Sequence, residues 1–236
     1  MANEHFQFRQ FTVWQDRCAM KVGTDGTLLG AWSQAPIGAC RILDIGTGTA
    51  LVALMMAQRY PLARLTAIDI DGDAVEQAQD NVMKSPFSTR ITVLQADVRN
   101  MSDSEGFDAI VSNPPYFVDS LSCPDPQRNT ARHTDSLSYH DLMYAVSKLL
   151  KKSGIFSVII PEESLSKLES EAYLNGLFRS RLFHIHTTPR KPPKRCLIEF
   201  TKSAGRQSVI EDVVLNDSPG LRSDWYHQLT KDFYIR

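Results

Sequence analysis

Two adjacent prolines, Pro114 and Pro115, follow almost directly on the apolar run Phe107-Asp108-Ala109-Ile110-Val111. The run reads as a buried strand. Proline lacks an N–H and fixes φ, so the strand has to stop there. Ser112-Asn113-Pro114-Pro115-Tyr116 therefore leaves a polar side chain, rigid carbonyls and an aromatic ring at a strand's carboxyl end. In open α/β sheets that edge is where ligands bind. Such a strand needs a sheet around it, and the flanking sequence supplies one.

Arg41-Ile42-Leu43-Asp44-Ile45 reads as a strand running into a turn, Gly46-Thr47-Gly48, and then a helix from Leu51 to Arg59. The pattern resembles a dinucleotide fingerprint but departs from it, because Leu51 stands where the third glycine would fall. Asp44, just before the loop, would repel a pyrophosphate and suits a ligand bearing an ammonium group. Arg64 to Asp69 is a second strand, ending in an acid about twenty residues past the glycine loop, where a ribose is gripped in doubly wound folds. Asp71 or Asp73 caps the next helix. Ile91 to Asp97 is a third strand with an acid at its end, placed to accept a hydrogen bond from an adenine amine. Three acids at three consecutive strand ends suit a ligand with an ammonium group, a ribose and an adenine.

Upstream, Phe6 to Trp14 alternates apolar and polar residues and predicts one half-buried strand whose aromatics belong to the core. Lys21 to Gly30 predicts a glycine-marked turn and a helix over Thr27 to Ser33, with Thr24 or Asp25 capping it and the loop approaching a ligand. Downstream, a long connection runs from Phe117 to about Ser136. A helix over His140 to Lys151 follows, broken at Gly154, then a fifth strand, Ile155 to Ile160, and a helix from Glu163 to Asn175. Arg181 to His186 and Cys196 to Thr201 follow without a long crossover, so they should be antiparallel. His184 and His186 share one face of their strand and read as structural. A short strand over Val209 to Leu215 and a helix near Ser223 to Phe233 end the sequence. The whole predicts an α/β fold: a doubly wound, seven-stranded, mainly parallel sheet with strand 7 antiparallel. Residues 1–236 form one domain, with 1–40 an N-terminal extension packing on the ligand side of the core.

At 42% hydrophobic and 22% charged residues, 236 residues can bury a full core. No apolar run approaches a membrane span, and no signal peptide is read at Met1 to Phe6. Cys18, Cys40, Cys123 and Cys196 are isolated, which favours a reducing compartment and argues against zinc or a disulfide framework. The net charge is −1, but the segment Arg179 to Arg206 carries +7 and the rest −8. A basic segment on an acidic body is a phosphate-contacting face, or else a solvated loop.

With Asp44-x-Gly46-x-Gly48, Asp69, Asp97 and Asn113-Pro114-Pro115-Tyr116 on successive strands, the chain resembles the class I S-adenosylmethionine-dependent methyltransferases, and among them those that methylate planar amines or amides. Arg17-Cys18-Ala19-Met20-Lys21-Val22-Gly23-Thr24-Asp25-Gly26, Pro126-Gln127-Arg128 with Ala131-Arg132, and Asp232-Phe233-Tyr234 are similar to the bacterial tRNA1(Val) (adenine(37)-N6)-methyltransferases. That resemblance implies S-adenosylmethionine as cofactor, no metal, and a cytoplasmic enzyme, expected to be monomeric, acting on the adenosine 3′ of the anticodon. It places Thr24, Asp25, Asp44, Gly46, Gly48, Asp69, Asp97 and Asn113 at the cofactor. Asn113 and the Pro114 carbonyl would accept the amine's hydrogens, and Tyr116 would stack on the extruded base. Pro115, Phe117, Arg128, Arg132, Arg190, Lys191, Lys194 and Arg195 would contact the anticodon loop. Two alternatives remain at this level: a protein glutamine N5-methyltransferase using the same motif, and a non-catalytic RNA-binding module on the same scaffold.

Overall fold

The computed structural model describes residues 4–17, 21–114, 137–205, 207–218 and 220–235. In chain order the elements are β1 (His5–Gln7), β2 (Thr12–Trp14), α1 (Thr24–Trp32), β3 (Arg41–Ile45), α2 (Leu51–Arg59), β4 (Arg64–Asp69), α3 (Gly72–Met83), β5 (Ile91–Gln95) and β6 (Phe107–Ser112). There follow α4 (Tyr139–Leu149), β7 (Leu150–Pro161), α5 (Leu165–Leu174), β8 (Phe178–His186), β9 (Pro193–Thr201), β10 (Val209–Val214), β11 (Asn216–Ser218), β12 (Leu221–Arg222) and α6 (Asp224–Thr230).

The main sheet has the order β10-β8-β9-β7-β6-β3-β4-β5. Strands β3 to β7 pair in parallel, and β9 lies antiparallel between β7 and β8. The antiparallel insertion follows from the short β8–β9 connection, which leaves no room for a crossover helix. The sheet has eight strands, one more than the sequence predicts, because β10 adds itself parallel to β8 at the edge. Leu43 and Ile45 point to one face, towards α4 and α5, while Ile42 points to the other, towards α1 and α2. That alternation gives the sheet two cores.

Helix α2 is apolar all round, with Leu51 to Ala57 buried, because it lies between the sheet and α1. Gly30 allows that close approach: a Cβ there would sit 2.8 Å from the Met55 sulfur. Helix α3 is amphipathic, capped by the Asp71 side chain, which accepts from the Asp73 N–H (3.0 Å). Gly154, predicted to break a helix, lies inside β7, and α4 already ends at Leu149.

The predicted N-terminal strand is instead a hairpin, β1 and β2, because Phe8 to Phe11 turn the chain. Phe8, Phe11 and Val13 are nonetheless core. The hairpin is clamped by the far end of the chain. The Arg9 N–H donates to the Phe233 carbonyl (2.8 Å), Arg9 Nε to the Tyr234 carbonyl (2.6 Å), and Phe8 stacks on Tyr234. On its other side β2 meets α3 through Asn81, which is fully buried. The Trp14 N–H donates to Asn81 Oδ1 (2.8 Å), and Asn81 Nδ2 donates to the Trp14 carbonyl (2.8 Å) and the Thr49 carbonyl (3.0 Å).

Candidate active site

The carboxyl ends of β3 and β6 and the start of α1 enclose a cavity of about 330 Å³. One wall is the loop after β3. Gly46 and Gly48 take φ of +69° and +53°, a region that favours glycine, and at neither would a Cβ meet a protein atom within 4 Å. The loop is held from behind. The Gly46 and Thr47 N–H groups both donate to the Ile68 carbonyl (2.9 Å each), and the Gly48 N–H donates to Asp69 Oδ2 (2.8 Å). Asn81 fixes the loop's far side through the Thr49 carbonyl.

The second wall is Lys21 to Gly26, where the chain enters α1. Gln15 supports it, its Oε1 accepting from the Val22 N–H (2.8 Å). Helix α1 starts at Thr24, three residues earlier than predicted, and its N-cap is Gly23 with no side-chain cap, so neither Thr24 nor Asp25 caps it. Both instead line the cavity. Asn113 closes the third side, just beyond β6, and Pro114 beside it is buried. The strand end is fixed by the Ser112 hydroxyl, which donates to the Ile45 carbonyl (2.9 Å).

Asp44 is 1% exposed yet faces this cavity. Its Oδ2 accepts from the Thr47 hydroxyl (2.7 Å) and the Ala53 N–H (3.1 Å). Burial pushes its carboxyl up to about 7, the two hydrogen bonds oppose that shift, and the charge of Asp69 adds to it. No cation among the described residues pairs with it.

Of the predicted cofactor residues, Thr24, Asp25, Asp44, Gly46, Gly48 and Asn113 thus come together in one cavity. Asp69 does not line it; its carboxylate carries the Gly48 and Asp71 N–H groups from behind. Asp97 lies beyond the end of β5, caps a single 3-10 turn and is bound by Arg99 (2.7 Å), which lowers its pKa. Both acids thus have protein partners in this structure. Arg195, predicted to contact RNA, lies in the cavity wall and is ion-paired with Asp25. Arg190, Lys191 and Lys194 are exposed on or beside the β8–β9 loop. Pro115, Tyr116, Phe117, Arg128 and Arg132 lie outside the described residues.

Sequence reasoning missed Lys21, Thr47 and Thr49 in the cavity wall and Asn81 behind it. The first three sit inside or beside motifs already singled out. Asn81 gives no such signal, since it is one polar residue on a helix. Among the described residues no group of three or more His, Cys, Asp or Glu is arranged to hold a metal, and no helix is long and apolar enough to cross a membrane.

A mainly parallel sheet with one antiparallel strand, third from its edge, and a glycine loop facing a strand-end Asn-Pro define a class I methyltransferase. The methyltransferase small domain model matches residues 27–181. A predicted O-methyltransferase from Agrobacterium tumefaciens has the same fold, with a TM-score of 0.68 over 89% of this chain and 96% of that one, at 21% identity. Two relatives named tRNA1(Val) (adenine(37)-N6)-methyltransferase are each 51% identical: one from Bacteroides fragilis, covering 100% of both chains, and one from Phocaeicola vulgatus, covering 100% of this chain and 99% of its own. The chain belongs to the tRNA1(Val) (adenine(37)-N6)-methyltransferase family.

Proposed function

We propose that this chain methylates the exocyclic N6 amine of the adenosine at position 37 in tRNA1(Val), with S-adenosylmethionine as methyl donor. The observation that carries the reading is the meeting of the glycine loop, Asp44 and Asn113 around one cavity. The residues fit such a donor. A buried carboxylate with no cationic partner among the described residues suits its ammonium group, and open space over Gly46 and Gly48 allows close approach. When bound, the donor supplies a methyl group made electrophilic by an adjacent sulfonium.

Asn113 has the principal chemical role. An adenine amine is a poor nucleophile because its lone pair is delocalised into the ring. The Asn113 side-chain carbonyl and the Pro114 backbone carbonyl accept its two hydrogens, which draws the nitrogen towards tetrahedral geometry. Because a proline follows it, Pro114 is restricted in ψ as well as in φ, so its carbonyl is aimed before the substrate arrives. Tyr116, with Phe117, stacks on the base, which costs little to extrude from a single-stranded anticodon loop. Asp69, which also carries the Gly48 N–H, accepts from the ribose hydroxyls, and Asp97 accepts from the adenine amine.

The tRNA backbone is gripped by the β8–β9 loop. Strand β8 runs in the same direction as β7, since both oppose β9, so this loop leaves the sheet at the edge where the cavity opens. Arg190, Lys191 and Lys194 supply its charge, joined by Arg128 and Arg132. Arg195 orients Asp25 in the cavity wall. On this reading the chain works in the cytoplasm as a monomer.

The test is product analysis. The chain is incubated with methyl-labelled S-adenosylmethionine and unmodified tRNA, and the nucleosides are separated after hydrolysis. N6-methyladenosine at position 37 supports the reading. Label found only in protein, as methylglutamine, replaces it with the amide reading, and no transfer at all leaves an RNA-binding module.

A further inference from the structure

We propose that His186, in its doubly protonated form, is the positioning residue that folds the β8–β9 loop into the shape that grips tRNA phosphates. The inference rests on the reading of that loop as the RNA grip. A neutral imidazole has one donor and one acceptor nitrogen. Both nitrogens of His186 instead face acceptors. Nδ1 is 2.7 Å from the Lys191 carbonyl, and Nε2 is 2.7 Å from Asp212 Oδ1. A carbonyl and a carboxylate have no hydrogen to give. Only the imidazolium, with two N–H groups, satisfies both, and a neutral ring would turn a lone pair towards one of them.

The place of this bond in the loop gives it its importance. The loop's root is pinned by the backbone: the Leu215 N–H donates to the His186 carbonyl (2.9 Å), and the Asn216 N–H to the Thr187 carbonyl (3.2 Å). Beyond the root, the Lys191 N–H closes a turn on the Thr188 carbonyl (3.1 Å). Among the described residues His186 is the only side chain that reaches the carbonyl side of Arg190 to Pro192. It therefore sets where the cations of Arg190 and Lys191 stand relative to the sheet edge.

The charged groups on the elements packed against His186 are Asp212 on β10, Glu162 ahead of α5 with His184 bound to it (2.7 Å), and the loop's Arg190, Lys191 and Lys194 leading into β9. The Lys191 carbonyl first, then Asp212, raise the imidazole pKa, with Glu162 adding to them and burial opposing. For a base held above its ordinary value, the contribution is complete below that ordinary value and is lost as pH rises through the raised one. The grip should therefore loosen on the alkaline side.

The experiment combines ring ¹⁵N resonances of the full-length protein with steady-state kinetics on tRNA. The His186 signals are assigned with His186→Gln. Both nitrogens should carry protons at pH 7, with a titration above the ordinary histidine range. Across that titration the KM for tRNA should rise about tenfold, the equivalent of one charge-assisted hydrogen bond, with kcat following its own course. Asp212→Asn is the decisive variant. Its amide can donate to Nε2, so a neutral ring becomes satisfied, the loop stays folded, and this alkaline rise in KM should vanish. A neutral His186 at pH 7, or an Asp212→Asn profile identical to wild type, overturns the proposal. If the ring is charged but neutralising Arg190, Lys191 and Lys194 leaves KM for tRNA unchanged, the loop is not the grip and the underlying reading falls instead.

Discussion

Binding of a cationic ligand to this cavity should expel a proton from Asp44. The carboxyl is buried and held at about 7, so at pH 7 it is half protonated in the free protein. An ammonium group placed beside it returns it to the ionised form. The proton released per ligand bound should then be about 0.5 at pH 7 and close to 1 at pH 5.5. The ligand's own α-amine is about nine-tenths charged at pH 7 and fully charged at pH 5.5, so most of the signal belongs to the protein. The apparent affinity should weaken about fifteenfold from pH 7 to pH 5.5, because the site must first lose its proton. Calorimetry of S-adenosylmethionine binding in buffers of different ionisation enthalpy reads the proton count directly. Asp44→Asn should bind more weakly, with no proton release and a flat pH profile in this window. Stability gives an independent check. An acid whose pKa is raised in the folded state binds more protons folded than unfolded between about pH 4 and 7, so stability falls as pH rises through that window. Without ligand, Asp44→Asn should thus be more stable than wild type at pH 8, by an amount on the order of a few kcal/mol, and should lose that advantage at pH 4. Equal proton release in the wild type and the variant would refute the assignment of Asp44.

Asn113→Ala should lower kcat by more than about a hundredfold, far more than it weakens the donor's Kd, since the missing carbonyl acts chiefly on the amine; parallel calorimetry and single-turnover assays check this. Asn81→Ala leaves the half-buried Trp14 N–H and carbonyl and the buried Thr49 carbonyl without this partner, so denaturant unfolding should show a drop in stability of about 2 kcal/mol, accompanied by a rise in KM for the donor as the glycine loop loosens. Neutralising Arg190, Lys191 and Lys194 together should flatten the dependence of log KM for tRNA on log salt by about 2, at about 0.7 for each phosphate that is no longer neutralised, with kcat nearly unchanged.

The parts of the site legible in the sequence were those written in short local patterns. Gly46 and Gly48 announce a turn that only glycine takes easily, and Pro114 announces a strand end, so the loop and the Asn113 corner follow from the pattern alone. The strand-end acids were legible as positions. Asp69 and Asp97 have backbone and arginine partners that a pattern of strand ends does not reveal. Arg195 read as one more cation in a basic run, yet alternation along β9 turns it away from Lys194 and towards Asp25 on α1. The eighth strand was hidden for another reason. Val209–Val214 has the composition of a strand, but which edge it joins depends on β8 being an edge already. The hairpin at the N-terminus was misread because it shows only as a break in the alternation: the polar pair Arg9-Gln10, which shifts the apolar phase between Phe8 and Phe11, marks the turn.

The clamp between Arg9 and the Phe233–Tyr234 backbone has a consequence for the order of events during synthesis. A growing chain has β1 and β2 available long before residues 233 and 234 exist, and contacts this distant in sequence are slow to close. Until they close, the hairpin is held only on its α3 side, where Asn81 grips Trp14, so the meeting of Arg9 with residues 233 and 234 is the late step in completing it.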